Sequence, residues 1–185
     1  MINLYYWWKV LDQKQIPEFN KTCRSLFVKG TDHKANVKKT SHVKFIQESA
    51  LYNSKWKKQM QMIYGLVKEA NRIQFGFNLY SEMFRYKSNI NYNIYNAKRK
   101  GEYDWHTDGD YSVLSDIKLT ALINLSEKKY SGGDLKLIGA NNFTVPEMTP
   151  GNMVVFPSFV GHKVEPVISG ERISLALWFW GPPFI

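Results

Sequence analysis

The chain has 185 residues, a formal net charge of +9, one cysteine and an aromatic content of 15%. That length suits one domain with a sizeable core, and so many aromatic side chains argue against a disordered chain. A single Cys23 excludes an intrachain disulfide and favours a reducing, cytoplasmic setting. No apolar run reaches the roughly 18 residues that a membrane span needs, and the start Met1–Lys9 lacks the pattern of a signal peptide. We therefore expect a cytoplasmic monomer with no membrane partner. The positive charge points either to an acidic or nucleic-acid partner or to a lysine-rich solvated surface. The lysines are scattered, at 38–39, 55–58, 98–100 and 128–129, and no one helix gathers them.

In chain order, residues 2–10 read as a short aromatic strand. Pro17, early in a helix where its missing N–H costs nothing, opens a helix from Ile16 to about Phe27 that buries Phe19, Cys23, Leu26 and Phe27. Residues 29–54 are polar and irregular, with one short strand near His42–Ile46. His33 and His42 fall there without ligand spacing and are read as solvated. A second helix is expected over about 54–71, with Ser54 as N-cap. Trp56, Met60, Ile63, Val67 and Ala70 recur at three and four as one core-facing stripe.

From Phe75 onward the period changes to two. Phe75, Phe77, Leu79 and Ser81 alternate with other residues, as do Ile90, Tyr92 and Ile94. Short strands are then expected at about 103–108, 117–125, 134–138, 143–145, 152–156, 161–167 and 171–180. Gly101, Gly109-Asp110, Ser131-Gly132-Gly133, the stretch 139–142, Pro150-Gly151 and Ser169-Gly170 punctuate them. Many short strands with regular breaks indicate a β-sandwich or jelly roll.

Chemistry concentrates at His106-Thr107-Asp108. On a strand, residues i and i+2 share a face, so an imidazole and a carboxylate stand side by side. His162, in a second β-rich run, supplies a third ligand, and Arg172 opens a third run. Two histidines and one carboxylate leave positions open on an ion, the arrangement that suits non-haem Fe(II) oxygenases. Asp110 is a rival carboxylate, but Gly109 is expected to end the strand and turn it away. A guanidinium such as Arg172 grips a carboxylate through two parallel hydrogen bonds; the plain alternative is a surface arginine paired with Glu171 or Glu165. A three-residue loop Ile168-Ser169-Gly170, with Gly170 left-handed, would form a hairpin and put Arg172 on the same face as His162. The same parity turns Ser174, Ala176 and Trp178 inward.

His106-x-Asp108, Ser131-Gly132-Gly133-Asp134-Leu135, Pro150-Gly151, Phe156-Pro157-Ser158, His162 and Gly170-Glu171-Arg172 occur in this order. Together they resemble the prolyl 4-hydroxylase branch of the Fe(II)/2-oxoglutarate-dependent dioxygenases, over residues 75–181. The resemblance implies a double-stranded β-helix, a jelly roll that is mainly β with N-terminal helices on its larger sheet. It implies one domain over 1–185, with 1–74 as helical support and 75–185 as the core. It implies Fe(II), 2-oxoglutarate and O2, with ascorbate as reductant, and a proline-containing peptide or protein as substrate. The metal ligands would be His106, Asp108 and His162. Arg172 and Tyr95 would bind 2-oxoglutarate, although Tyr95 also suits a core position. Trp178 would line the substrate pocket with Tyr103, Lys98 and Arg99, the last two on a loop over the iron. Where many relatives have an aromatic before the Gly-Gly stretch, this chain has Asn124.

Three other functions stay open. A nucleic-acid demethylase would suit the charge, but Trp178 stands where those enzymes carry a second arginine. A free amino acid hydroxylase would use the same chemistry. A non-catalytic cupin-like module would tend to lose a ligand, and here all are present.

Overall fold

The computed structural model describes residues 4–28, 39–80, 89–109, 115–139 and 143–184. His33, Ser81 and Asp110 lie outside the described residues. The N-terminal part runs β1 (Tyr6–Lys9), α1 (Ile16–Ser25), β2 (Phe27–Val28), β3 (His42–Gln47), α2 (Glu48–Tyr52) and α3 (Lys57–Ala70), followed by a π-helical turn at Asn71–Phe75. Then come β4 (Asn89–Asn96), a 3-10 turn (Ala97–Arg99), β5 (Tyr103–His106), β6 (Asp116–Asn124), β7 (Ser131–Gly132) and β8 (Leu135–Leu137). The chain continues with β9 (Phe143–Thr144), β10 (Asn152–Pro157), β11 (His162–Val164), β12 (Val167–Ser169) and β13 (Glu171–Gly181).

Seven strands form the major sheet in the order β1-β10-β6-β13-β4-β3-β2, and β5-β11-β8-β9 form a minor sheet. A two-stranded ribbon, β12-β7, lies beside them. Within each sheet the pairings are antiparallel.

Period-two patterning sorts the major sheet into two faces. On β13, Ile173, Leu175, Leu177 and Phe179 face the helices, as do Leu119, Ala121 and Ile123 of β6 and Ile90 and Tyr92 of β4. They pack on Ile16, Phe19 and Cys23 of α1 and Met60, Ile63 and Val67 of α3. Each fully buried aliphatic or phenyl side chain there contributes roughly 1.5–3 kcal/mol. Cys23 is fully buried, and burial pushes its thiol up to about 12. The opposite face turns toward the minor sheet. Leu122, Val154, Phe156 and Ala176 there meet Leu135 and Leu137 in a second core. Two facing antiparallel sheets with helices outside the larger one are the expected jelly roll.

Four local expectations need correction. The alternation Phe75-Phe77-Leu79 is not a strand. α3 runs on into the π-helical turn, which ends at Gly76 in the left-handed region. The Asn71 side chain donates to the Phe77 carbonyl at 2.8 Å and accepts from its N–H at 2.9 Å, so one amide does the work of a neighbouring strand. α3 begins at Lys57, with the Ser54 hydroxyl accepting from Trp56 N–H, and α2 precedes it as an extra turn. Residues 1–74 are more than helical support, because β1, β2 and β3 all belong to the major sheet.

The fourth correction concerns Arg172. No hairpin joins β12 to β13. β12 pairs with β7, whereas β13 pairs with β4 and β6. Gly170, at φ +73°, carries the chain from the ribbon into the major sheet. The inward direction of Arg172 is as expected, but the parity of β13 within the sheet sets it.

Candidate metal and 2-oxo acid site

His106 ends β5 and His162 opens β11, and the two residues are paired directly across the minor sheet. Their ring centroids are 4.1 Å apart. Asp108 follows β5, fixed by its N–H to the Ser158 carbonyl at 2.9 Å. Its carboxylate lies 3.8 Å from His106 Nε2 and 3.4 Å from His162 Nε2. Candidate ligand atoms of all three lie within 4.8 Å of one another.

Each imidazole is oriented by backbone. His106 Nδ1 is 2.7 Å from the Asp104 carbonyl and His162 Nδ1 is 3.0 Å from the Val160 carbonyl. A carbonyl only accepts, so Nδ1 must carry the proton, and the Nε2 lone pairs converge on Asp108. Thr120 Oγ1 donates to Asp108 Oδ2 at 2.8 Å, holding the carboxylate from the major sheet. Burial, and then the neighbouring His162, push the His106 pKa down to about 4 although Asp108 pulls it up. His106 is thus a neutral imidazole at ordinary pH.

Arg172 projects into the same pocket, as do Ser174, Ala176 and Trp178 of β13 and Asn91, Asn93 and Tyr95 of β4. Arg172 is fully buried. Its Nη1 donates to Ser174 Oγ at 3.1 Å, and its guanidinium carbon lies 5.3 Å from the Tyr95 ring centroid. Nε and Nη2 are buried with no partner among the described residues. An orphaned buried guanidinium is costly unless an anion completes it. A Cβ on Gly133, itself at φ +69°, would stand 2.9 Å from Arg172 Cδ, so the Gly-Gly stretch makes room for this side chain.

The donor set fits the cofactors expected. Two neutral imidazoles and a carboxylate could hold Fe(II) with positions open. The two free N–H groups of Arg172 match a carboxylate edge.

Tyr103 stacks on His106 at 3.5 Å between centroids and lines the pocket. Lys98 and Arg99 do not reach it. β4 leaves the sheet at Asn96, beside Glu171 and Gly170, and the 3-10 turn directs both cations to solvent. The Asn96 side chain accepts from Lys98 N–H and fixes that direction. The basic loop is therefore exposed at the Glu171 end of β13 and outside the pocket lining. Asn124 is fully buried, with its amide donating to Tyr130 Oη and the Met148 carbonyl, both at 2.9 Å.

Three pocket residues carried no sequence signal that we used. Lys39 comes from a polar stretch without periodicity. Asn91 and Asn93 are the other half of the Ile90-Tyr92-Ile94 alternation, and a polar face opposite an apolar one was the available clue.

Residues 90–180 match the family model of the 2OG-Fe(II) oxygenase superfamily, a segment that holds the triad and Arg172. The matched segment is just under half of the chain. Within curated sequences, a PKHD-type hydroxylase of Janthinobacterium sp. (strain Marseille) is 31% identical over 94 residues, covering 46% of this chain and 41% of that protein. One from Prochlorococcus marinus (strain MIT 9215) is 35% identical over 78 residues, covering 42% and 35%. The chain thus matches well under two thirds of the length of these relatives. A Pseudomonas putida prolyl-4-hydroxylase superposes with TM-score 0.69 at 21% identity, covering 95% of this chain and 91% of that one. A viral collagen prolyl hydroxylase from Paramecium Bursaria Chlorella virus-1 also gives 0.69, at 13% identity and 97% of both chains. The chain therefore shares the double-stranded β-helix fold of those structures. Among the described residues, no helix is long and apolar enough to cross a membrane.

Proposed function

We propose that this chain is a single-domain Fe(II)- and 2-oxoglutarate-dependent dioxygenase that hydroxylates a peptidyl side chain, a proline, with release of succinate and CO2. One observation carries it: the orphaned guanidinium of Arg172 opens into the same pocket as the His106-Asp108-His162 triad. Bound iron and 2-oxoglutarate supply the oxidising chemistry that places one atom of O2 into a substrate C–H bond, with ascorbate as a reductant.

The protein's own part is to bind, orient and exclude water. His106, Asp108 and His162 hold the metal, with tautomers and carboxylate fixed as described. Arg172 and Ser174, beside Tyr95, hold the distal carboxylate. Leu122, Ala176 and Trp178 line the pocket beside the polar groups and limit water there. The peptide substrate draws support from the prolyl hydroxylases of like fold, one of them from Trichoplax adhaerens described in complex with a hypoxia inducible factor peptide fragment. Nucleic acid is the weaker alternative, since Lys98 and Arg99 lie outside the pocket lining.

The test is 2-oxoglutarate turnover with Fe(II) against proline-rich peptides, free amino acids and oligonucleotides, read by mass. A gain of one oxygen atom on a peptide proline is expected. Succinate without oxygenation of any peptide, but with a modified oligonucleotide or amino acid, overturns the substrate assignment.

A further inference from the structure

Residues 39 and 40 are tied to β5 as a short added strand. Lys39 bridges Tyr103 in antiparallel register, Thr40 N–H donates to the Glu102 carbonyl at 3.0 Å, and Glu102 N–H donates to Thr40 Oγ1 at 2.9 Å. The Thr40 hydroxyl in turn donates to the Lys100 carbonyl at 3.0 Å. This clamp commits the Lys39 side chain to the pocket. Its Nζ lies 4.2 Å from the centroid of Tyr103, the ring that stacks on His106, and donates to Asn93 Oδ1 at 3.2 Å.

Lys39 is a second cation in a pocket that already holds Arg172. Among the described residues no carboxylate lies within ion-pair distance of it, and one neutral amide oxygen is a poor match for three ammonium protons. The charges of the loaded site explain why this matters. Two positive charges on iron and one on Arg172 are balanced by Asp108 and the two carboxylates of 2-oxoglutarate. Lys39 is left over. A half-buried cation with no ion-pair partner among the described residues is well placed to receive an anion, and the ligand not yet counted is the substrate. Burial lowers the Lys39 pKa to about 8, which leaves the ammonium largely charged at neutral pH.

We infer that Lys39 is a specificity-determining residue that receives a carboxylate of the substrate beside the metal triad. The inference rests on the dioxygenase proposal and narrows its substrate to one carrying a carboxylate within reach of the pocket when the reacting residue is bound. That carboxylate has two sources: the α-carboxylate of a free amino acid or terminal residue, or an acidic side chain adjoining a target proline. Asn91 and Asn93, buried on the same wall, add polar groups suited to either.

The experiment is calorimetric binding without O2, using Mn(II)-loaded protein saturated with 2-oxoglutarate. The probes are L-proline against L-prolinamide, and a short peptide with Pro-Asp against its Pro-Asn counterpart. In at least one pair the acid should bind roughly 10- to 100-fold tighter than the amide, the scale of a hydrogen bond to a charged group. The pair that discriminates identifies the source. Lys39→Met should erase the preference and Lys39→Arg should keep most of it. Equal binding of acid and amide in both pairs overturns the inference, as does a preference that survives Lys39→Met. A loss of 2-oxoglutarate affinity in Lys39→Met as large as the loss for the acid probe also overturns it, by assigning Lys39 to the co-substrate. Failure of wild-type protein to bind 2-oxoglutarate counts against the dioxygenase proposal instead, and the acid and amide probes still decide on Lys39.

Discussion

Gly133 and Arg172 are spatial neighbours: a Cβ built on the glycine would lie 2.9 Å from the arginine Cδ. The Gly-Gly stretch on the ribbon side thus shapes the channel through which the guanidinium reaches the pocket. Gly133→Ala should weaken 2-oxoglutarate binding while metal affinity is unchanged. A left-handed residue that gains a side chain also costs about 1–2 kcal/mol of stability. Titration of both ligands checks this, and equal weakening of metal and 2-oxoglutarate would speak against it.

Arg172 should show opposite effects on stability and binding. It is a buried cation lacking partners at Nε and Nη2, so an apolar replacement relieves a desolvation penalty. Arg172→Met is expected to raise the melting temperature of the ligand-free protein. The same change should weaken 2-oxoglutarate by on the order of 2–5 kcal/mol, roughly 30-fold or more. A fall in both quantities would mean that the guanidinium is structural.

Removing any one of His106, Asp108 or His162 should abolish metal binding and succinate formation without unfolding the chain. None belongs to either of the two large apolar cores. Metal titration with circular dichroism as control reads this. Full activity in Asp108→Ala would end the assignment of the triad.

Acid should destabilise the metal-free protein over a defined window. Unfolded histidine takes up its proton near pH 6.5, whereas folded His106 resists to about 4 because it is buried and faces His162. Between those values the unfolded chain binds the extra proton, so this contribution is present above about 6.5 and is lost as pH falls toward 4. Urea unfolding after chelation, at pH 7.5 and 5, should show it. His106→Gln should flatten the difference.

Replacing Lys98, Arg99 and Lys100 together by alanine should leave the Michaelis constant for the substrate unchanged, because all three are exposed and lie outside the pocket lining. A raised constant would restore the loop to substrate recognition.

The clustering of His106, Asp108, His162 and Arg172 around one pocket was legible because strand parity and residue chemistry agree at these positions. Strands such as β6, β10 and β13 were legible for the same reason. The turn at Gly170 illustrates a right direction reached by a wrong route. A left-handed glycine fits a hairpin and a sheet-to-sheet crossing equally, and only long-range pairing separates them. Phe75-Phe77 alternates like a strand, yet the Asn71 amide occupies the backbone groups that pairing would use. Lys39 was illegible because its place depends on Thr40 and Glu102, which are far apart in sequence. Lys98 and Arg99 closely precede His106 in sequence yet are exposed and outside the pocket lining, because closeness along the chain does not fix closeness in space.

The buried position of Cys23 has a practical consequence. The only thiol lies on the helix-covered side of the major sheet, away from the pocket, and burial keeps it protonated. Oxidants generated at an iron centre act first on thiolates, and this protein offers them none while folded. A thiol-directed reagent can then label the chain only when α1 separates from the sheet. Its rate of incorporation becomes a clock for opening of the outer core, usable during turnover because the reporter and the chemistry occupy opposite faces of one sheet.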